Sequence, residues 1–240
     1  MTNDKGKSGA RNMAVRLKTA KKRTTSQQKW LERQLNDPYV ARAKREGYRS
    51  RAAFKLIEID DRLKLLKPGA RVVDLGAAPG GWLQVTAQRI GLDKGRGALV
   101  GIDLLAVDPL PGVAFIQGDF TADDAPDKLK ALLGGPADVV LSDMAANAMG
   151  HKKTDHMKIV YLAELAIAFA REVLAPGGHF LCKVLQGGTE GELLADLKRD
   201  FTTVRHIKPQ ASRQDSSELY VLATGFRGRA LGRDNPDRES

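Results

Sequence analysis

The 240-residue sequence contains a single cysteine, Cys182. One cysteine excludes an internal disulfide framework and a cysteine-based zinc site, and it agrees with a reducing compartment, so we expect a cytoplasmic protein. No apolar run reaches the length of a membrane span, and no apolar segment follows the basic N-terminus as in a secretory signal. We therefore expect a soluble protein without a membrane anchor. A mitochondrial transit peptide is the alternative interpretation of the acid-poor start.

Positive charge is plentiful and unevenly distributed. The formal net charge is +10, which suggests a polyanionic partner. Residues 1–30 hold nine lysines and arginines against one acidic residue, a local net charge of +8. Residues 1–26 are nearly free of large apolar side chains, so we expect a disordered basic arm there and a flexible tail at 227–240. Residues 27–226 then form one catalytic domain, with a helical extension at 27–66.

The pattern of apolar residues predicts an α/β fold. A helix over 26–46 is interrupted near Asp37 and Pro38, and Ser50 is placed to cap a second helix over 51–66. Beyond it strands and helices alternate, which is typical of a largely parallel sheet with helices on both faces. The predicted strands are 71–75, 98–103, 113–117, 137–142, 178–185, 201–207 and 218–225. The predicted helices are 81–91, 125–133, 156–174 and 190–199.

A glycine-rich turn follows the first strand, 71–75. Gly76 and Gly80 permit positive φ, and a helix starting near Gly81 directs unpaired N–H groups into the same space. Ala78 replaces the middle glycine of a dinucleotide fingerprint, which argues against NAD, and no lysine precedes a Ser or Thr here, which argues against ATP or GTP hydrolysis. An adenosyl ligand without phosphates fits better, although many α/β proteins have such turns without a ligand.

Acidic residues follow the apolar strands, at the edge of the sheet where ligands of open α/β folds bind. Asp74 lies near the end of the first strand. Asp103 ends the second strand and is placed to bind the ribose hydroxyls of an adenosine. Asp119 follows the third strand and is placed to reach an adenine amino group. Each of them could instead be a solvated carboxylate at a strand end.

A second set of charged residues indicates proton chemistry. Lys183 lies within an otherwise apolar strand, and Asp143 ends the preceding strand. A buried ammonium needs a partner, and a lysine beside an acid can act as a general base for a hydroxyl. A lysine whose stem alone is buried is the alternative. Lys55 and Glu218 complete a possible cluster, although by themselves both read as surface charges.

Four separated motifs together resemble the FtsJ-type ribose 2′-O-methyltransferases, and the resemblance extends over residues 28–226. These motifs are Ser50–Leu56, Asp74–Trp82, Ser142–Ala145 and Lys183–Gly187. The resemblance implies the Rossmann-like fold of S-adenosylmethionine-dependent methyltransferases. Two positions depart from the family pattern: Ala146 replaces a proline, and Ala53 replaces a bulky aromatic residue.

The resemblance also implies an activity and a site. It implies S-adenosylmethionine as the cofactor and a uridine ribose in the large-subunit ribosomal RNA as the target. Because methyl transfer from a sulfonium to a hydroxyl needs only alignment and the removal of one proton, we expect no metal. A Lys-Asp-Lys-Glu tetrad assists the transfer, and it falls here on Lys55, Asp143, Lys183 and Glu218. The implied cofactor contacts are Gly80, Trp82, Asp103, Asp119 and Asp143, to which we add Asp74 and Gly76 from the turn. We expect a monomer that acts on the assembled large subunit.

Two other functions are compatible with parts of this pattern. One is a small-molecule methyltransferase with the same cofactor fold, but such an enzyme would not need a basic arm. The other is a basic RNA-binding or ribosome-assembly factor with an idle cofactor pocket, which would not be expected to keep two lysines inside apolar segments.

Overall fold

The computed structural model describes residues 24–145, 152–187, 190–214 and 216–228. Most of the predicted basic arm and of the C-terminal tail lies outside the described residues, as does Ala146, so these predictions are not tested. No helix within the described ranges is both long enough and apolar enough to cross a membrane.

Seven strands form one mixed sheet in the order β3-β2-β1-β4-β5-β7-β6. Strand β1 pairs in parallel with β2 and β4, while β7 runs antiparallel between β5 and β6. The strand order reverses beside β1, where open α/β sheets form their ligand crevice. The strands are β1 (Arg71–Leu75), β2 (Ala98–Asp103), β3 (Val113–Gln117), β4 (Ala137–Ser142), β5 (Leu174–Leu185), β6 (Phe201–Ile207) and β7 (Glu218–Phe226).

Helices cover both faces of the sheet, as predicted. They are α1 (Thr25–Leu35), α2 (Pro38–Glu46), α3 (Ala53–Leu63), α4 (Gly81–Ile90), α5 (Ala125–Leu133), α6 (Lys152–Val173) and α7 (Glu190–Asp200), and a short 3₁₀ turn spans Leu92–Lys94. Successive side chains of a strand point to opposite faces. Val72 of β1 therefore packs into the core beneath α3 and α4, whereas Val73 and Leu75 pack with α5, α6 and α7.

The helical extension is fixed to the loop before β7. Asp37 caps α2 by accepting a hydrogen bond from the Tyr39 N–H at 3.0 Å, with Pro38 in the first turn. The carboxylate of Asp37 is nearly buried, and its Oδ2 lies 2.9 Å from Arg51 Nε and 3.4 Å from Arg213 Nη2. One buried acid thus joins α2, the start of α3 and the β6–β7 loop. The predicted helix break at Asp37 and Pro38 is confirmed.

Several predicted boundaries differ from the structure. Helix α3 begins at Ala53, not at residue 51, and the buried Ser50 hydroxyl has no hydrogen-bond partner, so the predicted Ser50 cap is wrong. The same helix ends three residues early because Lys64 adopts φ 52°. Strand β5 starts at Leu174, four residues earlier than predicted, because Ala137 of β4 already pairs there.

Candidate active site

The glycine turn after β1 joins the sheet to α4. Gly76 and Gly80 have φ angles of 81° and 103°, so both adopt the conformation that the sequence predicts. A Cβ atom on Gly76 would lie 2.8 Å from the Met144 backbone, and one on Gly80 would lie 2.7 Å from Arg49 Nη1. Gly76 is therefore required by the close approach of the backbone to itself, and Gly80 by its positive φ, since the end of the Arg49 side chain could move aside. Both requirements hold whether or not a ligand binds.

A pocket opens at the ends of β1, β2, β3 and β4. Gly76, Asp103, Asp119 and Met144 contribute to its lining. The Asp103 carboxylate accepts one hydrogen bond from the Ala78 N–H and another from the Leu105 N–H, both at 2.9 Å. Asp119 is exposed, and its Oδ1 accepts from the N–H and the hydroxyl of Thr121, both at 2.8 Å. The structure thus brings the two predicted adenosine ligands to one pocket.

Asp74 lies deeper than the sequence suggests. Its side chain has no exposed surface, and neither carboxylate oxygen has a hydrogen-bond partner. Burial raises the pKa of Asp74 well above its usual range, and the nearby charges of Asp143 and Asp103 raise it further. A buried acid without a partner beside a pocket is a position where a polar ligand atom could be bound.

All four predicted tetrad residues come together on the α3 side of the sheet. Lys55 projects from α3 and forms an ion pair with Glu218 at the start of β7. The Lys55 side chain is 8% exposed and the Glu218 side chain 19% exposed, so neither is the surface charge that its sequence context alone indicates. Lys183 of β5 pairs with Asp143, which follows β4. The tetrad positions therefore form two mostly buried lysine–carboxylate pairs.

The Lys183–Asp143 pair is held at two points. Lys183 Nζ lies 2.6 Å from the main-chain oxygen of Asp143 and 3.2 Å from its Oδ1. Burial acts to raise the pKa of Asp143, but Lys183, Lys55 and the Tyr220 hydroxyl together outweigh it, and the pKa is lowered. Asp143 is therefore an ionised acceptor. The predicted pairing of the buried lysine is confirmed.

Tyr220 is a fifth member of this cluster that the sequence analysis missed. Its hydroxyl lies 2.7 Å from Asp143 Oδ1, 2.8 Å from Glu218 Oε1 and 3.1 Å from Lys55 Nζ. Burial is the main reason why the pKa of Tyr220 lies well above its usual range, and the charges of Asp143 and Glu218 raise it further, so the phenol keeps its proton. The hydroxyl connects the two lysine–carboxylate pairs.

Aromatic packing forms the wall behind the cluster. The buried Trp82 ring lies 5.7 Å from the Tyr220 ring, centroid to centroid, and its indole N–H donates to the Ala52 carbonyl at 2.8 Å. The indole is therefore engaged within the protein, and Trp82 is not among the residues that line the pocket. Ala53, the departure from the family pattern, is fully buried beside this wall.

The remaining candidates for chemistry are clusters of metal-ligating side chains and the thiol of Cys182. Among the residues that the structure describes, no group of three or more His, Cys, Asp or Glu side chains could hold a metal ion. Burial raises the pKa of the Cys182 thiol to about 12, so this residue packs as a small neutral side chain, as expected.

Comparison with known proteins relates this geometry to a family. A family model described as FtsJ-like methyltransferase matches residues 48–226. The chain belongs to the FtsJ-like methyltransferase family. The resemblance inferred from the four motifs is thereby confirmed. The matched range includes α3, the glycine turn, all four tetrad positions and Tyr220.

Relatives within the family resemble nearly the whole chain. A Xanthobacter autotrophicus protein named Ribosomal RNA large subunit methyltransferase E is 71% identical over 220 residues, covering 92% of this chain and 87% of that protein. An Azorhizobium caulinodans protein of the same name is 66% identical, covering 92% of each chain. The crystal structure of a Plasmodium falciparum ribosomal RNA methyltransferase aligns with a TM-score of 0.66 and 34% identity, over 76% of this chain and 100% of that one. The predicted methyltransferase fold is confirmed.

Proposed function

We propose that this enzyme transfers a methyl group from S-adenosylmethionine to the 2′-hydroxyl of a uridine ribose in large-subunit ribosomal RNA. The observation that carries the proposal is the convergence of Lys55, Asp143, Lys183 and Glu218 into two paired, mostly buried ion pairs. Such pairing fits a site that must remove one proton from a hydroxyl in a restricted volume.

The pocket beside the tetrad fits S-adenosylmethionine. Asp103 is placed for the ribose hydroxyls and Asp119 for the adenine amino group. Gly76 of the turn lines the same pocket, and the buried, unpartnered Asp74 carboxyl lies two residues before it in the chain. We propose that Asp74, Gly80 and the start of α4 also contribute to cofactor binding. When bound, this cofactor supplies a methyl group activated by a positively charged sulfur.

Lys183 acts as the general base in this proposal. A neutral amine has two N–H groups and one lone pair, and the two Asp143 oxygens within reach of Nζ can accept both N–H groups. The lone pair is then left for the hydroxyl of the substrate ribose. A fixed amine of this kind removes a proton more effectively than one free to rotate.

The other three members orient Lys183 and the ribose. Asp143 holds Lys183 and, as an ionised group, lies near the sulfonium position. Lys55 and Glu218 neutralise each other, so their pair adds polar contacts for a ribose without adding net charge. In-line transfer from a sulfonium needs alignment and the removal of one proton, so we propose no role for a metal.

The substrate is proposed from charge and from the relatives. The net charge of +10 favours a polyanion, and both bacterial relatives carry a name that specifies large-subunit ribosomal RNA. We propose that the assembled large subunit is the partner, that the enzyme acts as a monomer and that it works in the cytoplasm. A small-molecule substrate would not explain the net positive charge of the chain.

Labelled S-adenosylmethionine tests this function directly. The protein is incubated with unmodified large subunits and, separately, with naked ribosomal RNA, and the RNA is digested with alkali. We expect one alkali-resistant, labelled dinucleotide that contains 2′-O-methyluridine, formed preferentially on the assembled subunit. Label on a base would contradict the proposed reaction. No label on either substrate would favour the RNA-binding-factor alternative.

A further inference from the structure

Tyr220 lies at the centre of the tetrad without being part of it. The residue has no exposed surface, and β7 places it two residues after Glu218, so both side chains project from the same face of the strand. The register pairs Tyr220 with Lys183 of β5. The hydroxyl is consequently fixed between the lysine–carboxylate pair on α3 and β7 and the pair on β4 and β5.

The Tyr220 hydroxyl has one proton and two carboxylate acceptors within hydrogen-bond distance. Tyr220 can donate either to Asp143 Oδ1 at 2.7 Å or to Glu218 Oε1 at 2.8 Å, while its oxygen accepts from Lys55 at 3.1 Å. Donation to Asp143 stabilises the ionised carboxylate that faces Lys183. When the hydroxyl donates to Glu218 instead, the nearest remaining donor to Asp143 Oδ1 is Lys183 Nζ at 3.2 Å.

From this arrangement we propose that Tyr220 is a positioning residue for methyl transfer, whose hydroxyl joins the two ion pairs and sets how firmly Asp143 holds Lys183. The inference rests on the proposed function, because it assigns Lys183 the role of base. It does not require Tyr220 to touch either substrate.

The consequence is a dependence on pH. The charged and titratable groups that face the hydroxyl are Lys55 from α3, Glu218 from β7 and Asp143 after β4, with Lys183 and Asp74 beyond Asp143. Without the hydroxyl, the Asp143 carboxylate is less stabilised. Asp143 then takes up a proton at higher pH, which weakens its hold on Lys183 and moves the acid limb of activity to higher pH.

The test replaces Tyr220 by Phe, which keeps the ring on Trp82 and removes one oxygen atom. We expect kcat to fall about tenfold at neutral pH, the KM for cofactor and for RNA to stay within about twofold, and the acid limb to move up by about one pH unit. Tyr39→Phe is the matched control, because it also removes a tyrosine–glutamate hydrogen bond, to Glu58 at 3.2 Å, outside the tetrad. A kcat and pH profile within about twofold of wild type would overturn the inference.

A measurement without substrate separates this inference from the proposed function. The ¹³Cγ resonance of Asp143 should titrate at higher pH in Tyr220→Phe than in wild type, whether or not the RNA is methylated. An unchanged titration would refute the positioning role, even if wild type methylates RNA. Should the Phe variant fail to fold, 3-fluorotyrosine at position 220 gives a stronger donor of similar size, and both titration and acid limb should then move to lower pH. A shift in the opposite direction would also overturn the inference.

Discussion

Replacing Lys183 by Met removes the proposed general base but keeps a side chain of similar length. Methionine keeps an apolar stem of similar length in a position that is 10% exposed, but it removes the nitrogen that lies 2.6 Å and 3.2 Å from the two Asp143 oxygens. Loss of a general base costs about 10²- to 10⁴-fold in rate, which corresponds to about 2.7–5.5 kcal/mol in the transition state. We therefore expect single-turnover methyl transfer to fall by at least about a hundredfold.

The same substitution has a calculable effect on folding. Breaking one side of a buried ion pair costs about 3–5 kcal/mol when the remaining charge has no other partner. Asp143 keeps the Tyr220 hydroxyl at 2.7 Å and the neighbouring charge of Lys55, so we expect at most about 3 kcal/mol in urea unfolding.

Rapid-quench transfer of labelled methyl groups to RNA, with cofactor affinity from calorimetry, provides the assay. Cofactor affinity should stay within about threefold, because Lys183 does not line the pocket that holds Asp103 and Asp119. Lys130→Met, which removes the exposed ion pairs of Lys130 with Asp127 on α5 and Glu172 on α6, should match wild type in rate. A single-turnover rate for Lys183→Met within about tenfold of wild type would refute the general-base role.

Two further substitutions test the turn and its surroundings. Native Asp74 holds its proton more tightly than the unfolded chain does, so the contribution of Asp74 to stability declines as pH rises above the ordinary aspartate pKa of about 3.9. Asp74→Asn should reduce that decline in urea unfolding between pH 4 and pH 8, and an equally steep decline would contradict the assignment. Gly81→Ala should destabilise the fold by about 1–3 kcal/mol, because its Cβ would overlap the buried Ser50 hydroxyl. Gly191→Ala, at an exposed position of α7, has no atom within 4 Å of its Cβ and should be neutral or stabilising in the same urea unfolding assay.

Much of the fold follows from local sequence patterns. The runs at 71–75, 98–103, 113–117 and 137–142 have the predicted bounds, because each is a short, mostly apolar segment next to turn-forming residues. The bounds of 201–207 are also as predicted, although this strand is largely polar. The start of α3 was harder to predict. Ser50 has the side chain of a helix cap, but its hydroxyl lies against Gly81, so tertiary packing and not local capping determines where this helix begins.

The site was only partly accessible from sequence. Lys55 and Lys183 could be recognised because each interrupts an apolar segment. The family motifs then indicated Glu218 and Asp143 as the other members of the tetrad. Tyr220 was missed because a tyrosine in an apolar strand is indistinguishable from an ordinary core residue. The available signal was its spacing of two from Glu218, which places both on one face of β7. The depth of Asp74 could not be read from the sequence, since its burial depends on how the helices pack over the sheet.

The position of β7 has a consequence for how the protein is synthesised. Lys55 and Glu218 are 163 residues apart, and the last strand enters between β5 and β6 instead of adding to an edge. A nascent chain therefore has Lys55, Asp143 and Lys183 long before it has the carboxylate and the phenol that compensate them. Until β7 inserts, the β5 edge is unpaired and the ion pairs are incomplete. Translation must reach the final strand before this enzyme can be active, so an unfinished copy emerging from a ribosome carries no competent site.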